Sequence, residues 1–121
     1  LCLRGAPLFR GAALTTDLGP LETDAVNRRL HWADLSTPAL GVAIFVAPGH
    51  PGDPVARLVR NSYAGILNPS WPALESAVLA PDTPVTLRYR VFIHRGDAAA
   101  GAVKQAYERY LADPAPFSGQ E

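Results

Sequence analysis

From Pro84 to Asp97 the chain reads PVTLRYRVFIHRGD, and one period of two governs the whole stretch. Val85, Leu87, Tyr89, Val91 and Ile93 fall on one side, and Thr86, Arg88, Arg90, Phe92 and His94 on the other. Side chains of an extended chain alternate between its two faces, so the pattern predicts a strand with its apolar face in a core. The opposite face then carries two guanidiniums and an imidazole. A half-buried strand must be paired, which commits the chain to a sheet.

The rest of the sequence supplies partners for that strand. Gly41 to Ala47, GVAIFVA, is apolar at every position, which in a short run flanked by Gly and Pro predicts a strand covered on both faces. Twelve prolines and ten glycines lie between short apolar segments and act as turns. The expected fold is mainly β, an antiparallel sandwich or the second half of a larger one. Further strands are expected at Leu8 to Leu14, at Ala25 to Leu35 with Leu30 and Trp32 on one face against His31, and at Leu74 to Leu79, while Val55 to Val59 reads as a short strand or a connection. Thr15 to Asp24 reads as a loop, and Pro48 to Pro54, PGHPGDP, as a stiff one because proline lacks an amide donor. Tyr63 and Ile66 are expected anchors, and Pro81 to Pro84 a tight turn.

Beyond Gly96 the period lengthens. Val103, Ala106, Tyr107, Tyr110 and Leu111 follow helical spacing, Asp97 suits an amino-terminal cap and Pro114 a stop. An amphipathic helix over residues 98–112 is therefore expected against the sheet. Residues 1–121 read as a single sandwich domain or the carboxyl-terminal part of one, since the sequence opens on Leu1 and holds no Met.

Eleven basic and eleven acidic residues cancel, which argues against nucleic acid as a partner. No apolar run approaches the roughly 20 residues of a membrane-spanning helix, so a soluble domain is expected. A single cysteine, Cys2, excludes an internal disulfide and a Cys-rich metal site, and favours the cytoplasm without excluding secretion. Nucleophile elbows and phosphate-binding glycine loops are absent, and no motif establishes a reaction. The three histidines, His31, His50 and His94, lack ligand spacing, so neither metal nor cofactor is expected.

Two constellations could bind a ligand. Arg88, Arg90 and His94 share a strand face, on which positions two residues apart lie about 7 Å from each other; with His50 they could grip a carboxylate, a phosphate or sugar hydroxyls. The alternative for the same row is a solvated outer face. Trp32 and Trp71 could stack on a sugar ring, with His31 and Asp34 beside Trp32, or could simply fill the core.

The order Trp32-Ala33-Asp34, Gly41-Val42-Ala43-Ile44-Phe45, the Pro48 to Pro54 loop, Tyr63-Ala64-Gly65-Ile66-Leu67-Asn68-Pro69 and Leu87 to Asp97 resembles the carboxyl-terminal half of a bacterial PmoA-like family of unknown function. The resemblance covers about Asn27 to Leu111 and implies a β-sandwich from a longer protein. Its members often carry the label methane oxygenase, which would imply metal-dependent oxidation. The family's Asp-His-Pro after the Gly-Val-Ala-Ile strand is replaced here by Val46, Ala47 and Pro48, leaving His50 and Asp53 in the loop. Three functions follow as expectations: binding or processing of a carbohydrate or small anionic ligand, a non-catalytic module that associates through sheet edges or with a missing amino-terminal half, and the oxygenase that the label suggests.

Overall fold

The turn-separated apolar segments pair into two antiparallel sheets in the computed structural model, which describes residues 1–5, 7–9, 11–52, 55–60 and 65–113. The first sheet has the order β1 (Leu3–Arg4), β8 (Ile66–Pro69), β7 (Val55–Arg60), β4 (Ala25–Leu30). The second runs β3 (Gly19–Leu21), β2 (Ala13–Thr16), β5 (Trp32–Ser36), β6 (Leu40–Val46), β9 (Tyr89–Arg95). One helix, α1 (Val103–Ala112), follows. This is the mainly β, sandwich-like architecture with a carboxyl-terminal helix that the patterning predicts.

The period of two in β5 and β6 divides the second sheet's side chains between two layers. Ala33, Leu35 and Ile44, with Leu14, pack against Ala25, Leu30 and Leu67 of the first sheet. On the other face Trp32, Ala43 and Phe45 meet Val103, Ala106 and Tyr110 of α1. β6 is thus covered on both sides, which is why GVAIFVA has no polar position. Each fully buried large side chain in these layers stabilises the fold by roughly 1.5–3 kcal/mol relative to exposure.

Several elements differ from expectation. Residues 25–35 form two strands, one in each sheet, with the crossing at His31. Leu30 therefore faces the space between the sheets and Trp32 the helix, so they do not share a face. Part of the expected loop at 15–24 is the β2–β3 hairpin, whose tight turn uses Gly19 at φ 106°. The strand expected at 8–14 begins only at Ala13, after a turn. Residues 74–79 form no strand, and Leu74, Val78 and Leu79 are exposed. Turns occupy 98–102 before α1, and Asp97 Oδ1 accepts the Ala100 amide at 2.8 Å there instead of capping the helix itself. Asp53, Tyr63 and Pro114 lie outside the described residues.

The alternating stretch at 84–97 is also revised. Strand pairing starts at Tyr89; residues 84–88 carry no regular structure, although the Arg88 carbonyl accepts the Ala47 amide at 3.1 Å. Within β9 the expected core residues Val91 and Ile93 are 43% and 76% exposed, whereas His94 on the expected polar face is buried. The cause is position: β9 is an edge strand, and the first sheet ends nearby in the two-residue β1, too short to cover it. Its other face lies under α1, where Phe92 packs. No helix of the described residues is long and apolar enough to cross a membrane.

Candidate functional site

Three rows of cross-strand neighbours run over the helix-facing side of β5, β6 and β9: Ser36–Gly41–His94, Asp34–Ala43–Phe92 and Trp32–Phe45–Arg90. His94 lies across Gly41, and its Nε2 meets Asp34 Oδ1 at 2.5 Å. Only glycine permits this, because a Cβ at residue 41 would fall 2.4 Å from His94 Cε1. Gly101 closes the ring from the helix side, where a Cβ would stand 2.2 Å from His94 Nδ1. Phe92 stacks beside the imidazole at 5.6 Å between centroids.

Charge in this cluster is tightly constrained. The Arg95 carbonyl, 3.3 Å from His94 Nδ1, can only accept, and a hydrogen bond joins Nε2 to Asp34. Burial pushes the Asp34 carboxyl above the usual carboxylate range, against the opposing pull of His94 and of the nearby Ser36 hydroxyl, and Asp97 adds to the rise. Asp34 Oδ2 and Ser36 Oγ are buried without a well-formed hydrogen bond among the described residues. With both side chains almost wholly shielded from solvent, the Asp34–His94 pair has no substrate access. It locks β9, β5 and the turn before α1 together.

The other sequence candidates are dispersed. His50 is buried on the opposite side of the second sheet: its Nδ1–H donates to the Pro51 carbonyl at 2.8 Å and its Nε2 accepts from the Tyr89 hydroxyl at 2.8 Å. Arg90 lies 4.3 Å from the centre of the Tyr110 ring. Burial raises the Tyr110 pKa, and Arg90 and Arg88 partly offset the rise. Arg88 precedes β9 and is exposed. Trp71 rests near Gly52, whose Cβ position would be 3.1 Å from its ring. Arg88, Arg90, His94 and His50 thus do not converge on one concave surface. Among the described residues no three His, Cys, Asp or Glu gather as a metal site would require.

A groove forms instead where α1 lies beside the β2–β3 hairpin. It has a volume of about 710 Å³, and its lining includes Trp32, Tyr107, Asp17, Lys104, Gln105 and Glu108. Trp32 opens β5 and lies, 5% exposed, beneath the groove, 6.5 Å from Tyr107 between ring centres. The Thr16 hydroxyl donates to the Gly19 carbonyl at 2.9 Å and accepts the Leu18 amide at 3.1 Å, which fixes the turn carrying Asp17. Asp17 Oδ2 meets His31 Nδ1 at 3.0 Å. Lys104 and Glu108, one helical turn apart, stand at 4.0 Å on the exposed flank of α1.

Of the predicted residues, Trp32 alone reaches this groove, with His31 held behind it by Asp17. Asp17 and the polar flank of α1 carried no signal beyond ordinary surface polarity. Tyr107 and Leu111 follow the helical spacing of the buried stripe, yet their separation of four places them on one flank of it, at the groove.

Sheets, helix and groove together define a β-sandwich with a helix-walled cleft on its outer face. The chain matches, over residues 1–108, a family of unknown function, DUF6807, and belongs to it. That match carries no PmoA assignment. No curated protein and no solved structure matches the chain.

Proposed function

We propose that this protein binds a small polyhydroxylated, sugar-like ligand in the groove between α1 and the β2–β3 hairpin. The observation that carries the reading is the half-buried Tyr107 ring, backed by the buried Trp32 and flanked by donors and acceptors of both charges. Sugars combine apolar ring faces with hydroxyls at their edges, and such a lining complements both. The groove's volume falls within the roughly 300–1,000 Å³ of small-molecule sites. Asp17 and Glu108 would accept from hydroxyls, and Lys104 and Gln105 would donate, so a sugar acid is as suitable as a neutral sugar.

The row Arg88, Arg90 and His94 with His50 is a poorer host, because both imidazoles are buried and engaged at both nitrogens. The oxygenase reading suggested by the PmoA-like resemblance has no gathered ligand set to support it among the described residues.

Titration of isotope-labelled protein with neutral sugars, disaccharides and uronic acids tests the proposal. Amide shifts confined to residues 15–19, 31–33 and 98–111 are expected. Tyr107→Ala should weaken binding about tenfold, the factor supplied by one aromatic contact worth about 1.4 kcal/mol. Absence of shifts with every member of the panel, or shifts outside the groove that survive Tyr107→Ala, overturns it.

A further inference from the structure

The opposite flank of the sandwich is open. Where β1 and β9 end their sheets, an apolar cleft of about 240 Å³ lies between the layers, lined by residues including Leu3, Phe9, Leu35, Val42, Leu67 and Ile93. A dry cavity of about 150 Å³ already accepts a benzene ring, so this cleft has room for an aliphatic side chain or two. Beside it the outer edge of β9 has no partner strand among the described residues, and an unpaired edge is a template for another strand. The flank is also basic: Arg4 lines the cleft, Arg88 and Arg95 bracket β9, and the edge strand holds no acid.

The chain carries a segment with the complementary chemistry. Residues 76–80 and 83–87 carry no regular structure and are joined by a turn in which the Thr83 amide donates to the Ala80 carbonyl at 3.4 Å; a second turn, closed by the Glu75 amide on the Pro72 carbonyl at 3.2 Å, leads into this arm. Leu74, Val78 and Leu79 are 79%, 93% and 69% exposed. Glu75 and Asp82 are its charges, and no Lys or Arg occurs from residue 61 to residue 87. At its base Glu75 reaches Arg29 at 3.6 Å, an exposed pair that ties the arm weakly to the first sheet.

We propose that the arm of one copy of this chain docks on the β1–β9 flank of a second copy, and the reverse, in a two-fold exchange. Each arm adds a strand to its partner's β9 and places Val78 in the cleft, while Asp82 faces the partner's cationic flank. Acidic arm and basic edge also disfavour the simpler pairing of β9 with its own copy, which would set arginines of the two strands against each other. The exchange is independent of the sugar groove, which lies on the far side of the second sheet.

The experiment uses Cys2→Ser protein with Ala80→Cys, an exposed arm position outside the cleft contact, carrying a nitroxide, mixed with Cys2→Ser chains enriched in ¹⁵N. Broadening of the ¹⁵N chain's amides at residues 89–95 is expected, together with sedimentation as a dimer. Ile93→Asp, at an exposed position, should weaken dimerisation by tenfold or more, about 1.4 kcal/mol, without loss of circular dichroism. A monomer at every concentration overturns the exchange, as does a dimer whose β9 amides stay sharp. Broadening only when nitroxide and isotope share one chain also overturns it, by showing that the arm folds back on its own β9.

Discussion

Gly41→Ala separates local propensity from tertiary packing by the sign of its effect. Glycine inside a strand costs roughly 0.5–1 kcal/mol relative to alanine, so local reasoning alone predicts a small stabilisation. The structure predicts the reverse. The new methyl would stand 2.4 Å from His94 Cε1, 2.5 Å from Nε2 and 2.7 Å from Ser36 Cβ, about 1 Å inside ordinary contact. His94 cannot retreat toward the helix, because Gly101 already approaches its other face. It must swing out and leave Asp34 buried without its partner. Breaking a buried pair in this way costs about 3–5 kcal/mol, a large part of the roughly 5–15 kcal/mol that holds a domain folded. At about 4 °C per kcal/mol for a chain of this size, Tm should fall by about 12–20 °C. Urea unfolding followed by tryptophan fluorescence gives the free energy directly. A cycle with His94→Ala sharpens it: once the ring is gone, Gly41→Ala should cost little further. A Gly41→Ala protein as stable as the parent, or a cost unchanged in the His94→Ala background, refutes the role assigned to the glycine.

Other consequences follow from the same geometry. Because Asp34 titrates above its ordinary value of 3.8, the native state retains a proton that the unfolded state has lost; Asp34's contribution to stability is therefore largest below that pH and declines as pH rises through the folded value. The stability difference between parent and Asp34→Asn should accordingly fall with pH in that window, by at most about 1.4 kcal/mol per unit for one proton, and a flat or rising difference counts against the assignment. Tyr110 should ionise above its ordinary value of 10.0 in an ultraviolet titration, and Arg90→Ala should raise it further by removing the cation over its ring. An unchanged midpoint in the variant would mean that the contact is electrostatically silent. Phe45→Ala should cost about 3–5 kcal/mol, since Phe45 contacts Phe92, Tyr107 and Tyr110 at 5.7, 5.5 and 6.0 Å between ring centres and so joins α1 to the sheet. The loss should be accompanied by a weakened near-ultraviolet circular dichroism signal from this cluster.

Local pattern was a sound guide wherever an element's neighbours were implied by its own composition. GVAIFVA has no polar position, so it demanded cover on both faces, and β6 has it. Helical spacing after Gly96 correctly marked Val103, Ala106 and Tyr110 as the buried stripe. It failed at β9, where alternation identifies two faces but not which of them a neighbour covers. An apolar face was assumed to be the inner one, yet α1 covers Phe92 and His94 while Val91 and Ile93 overhang a sheet that ends too soon.

The candidate site was less legible, for a related reason. Asp34 and His94 are 60 positions apart, and their contact depends on a third strand offering glycine at the one place where the ring crosses it. The groove joins Asp17 of a hairpin, Trp32 of a strand and Tyr107 of the helix, three segments whose residues individually look like turn, core and stripe. Periodicity and punctuation are local properties, so the sequence by itself determined the central strands, the helix and the sandwich class, but not the β2–β3 hairpin or the irregular course of residues 74–79. Which face is covered, which histidine is buried and where a cleft opens depend on packing between distant segments, and tertiary structure alone decided them.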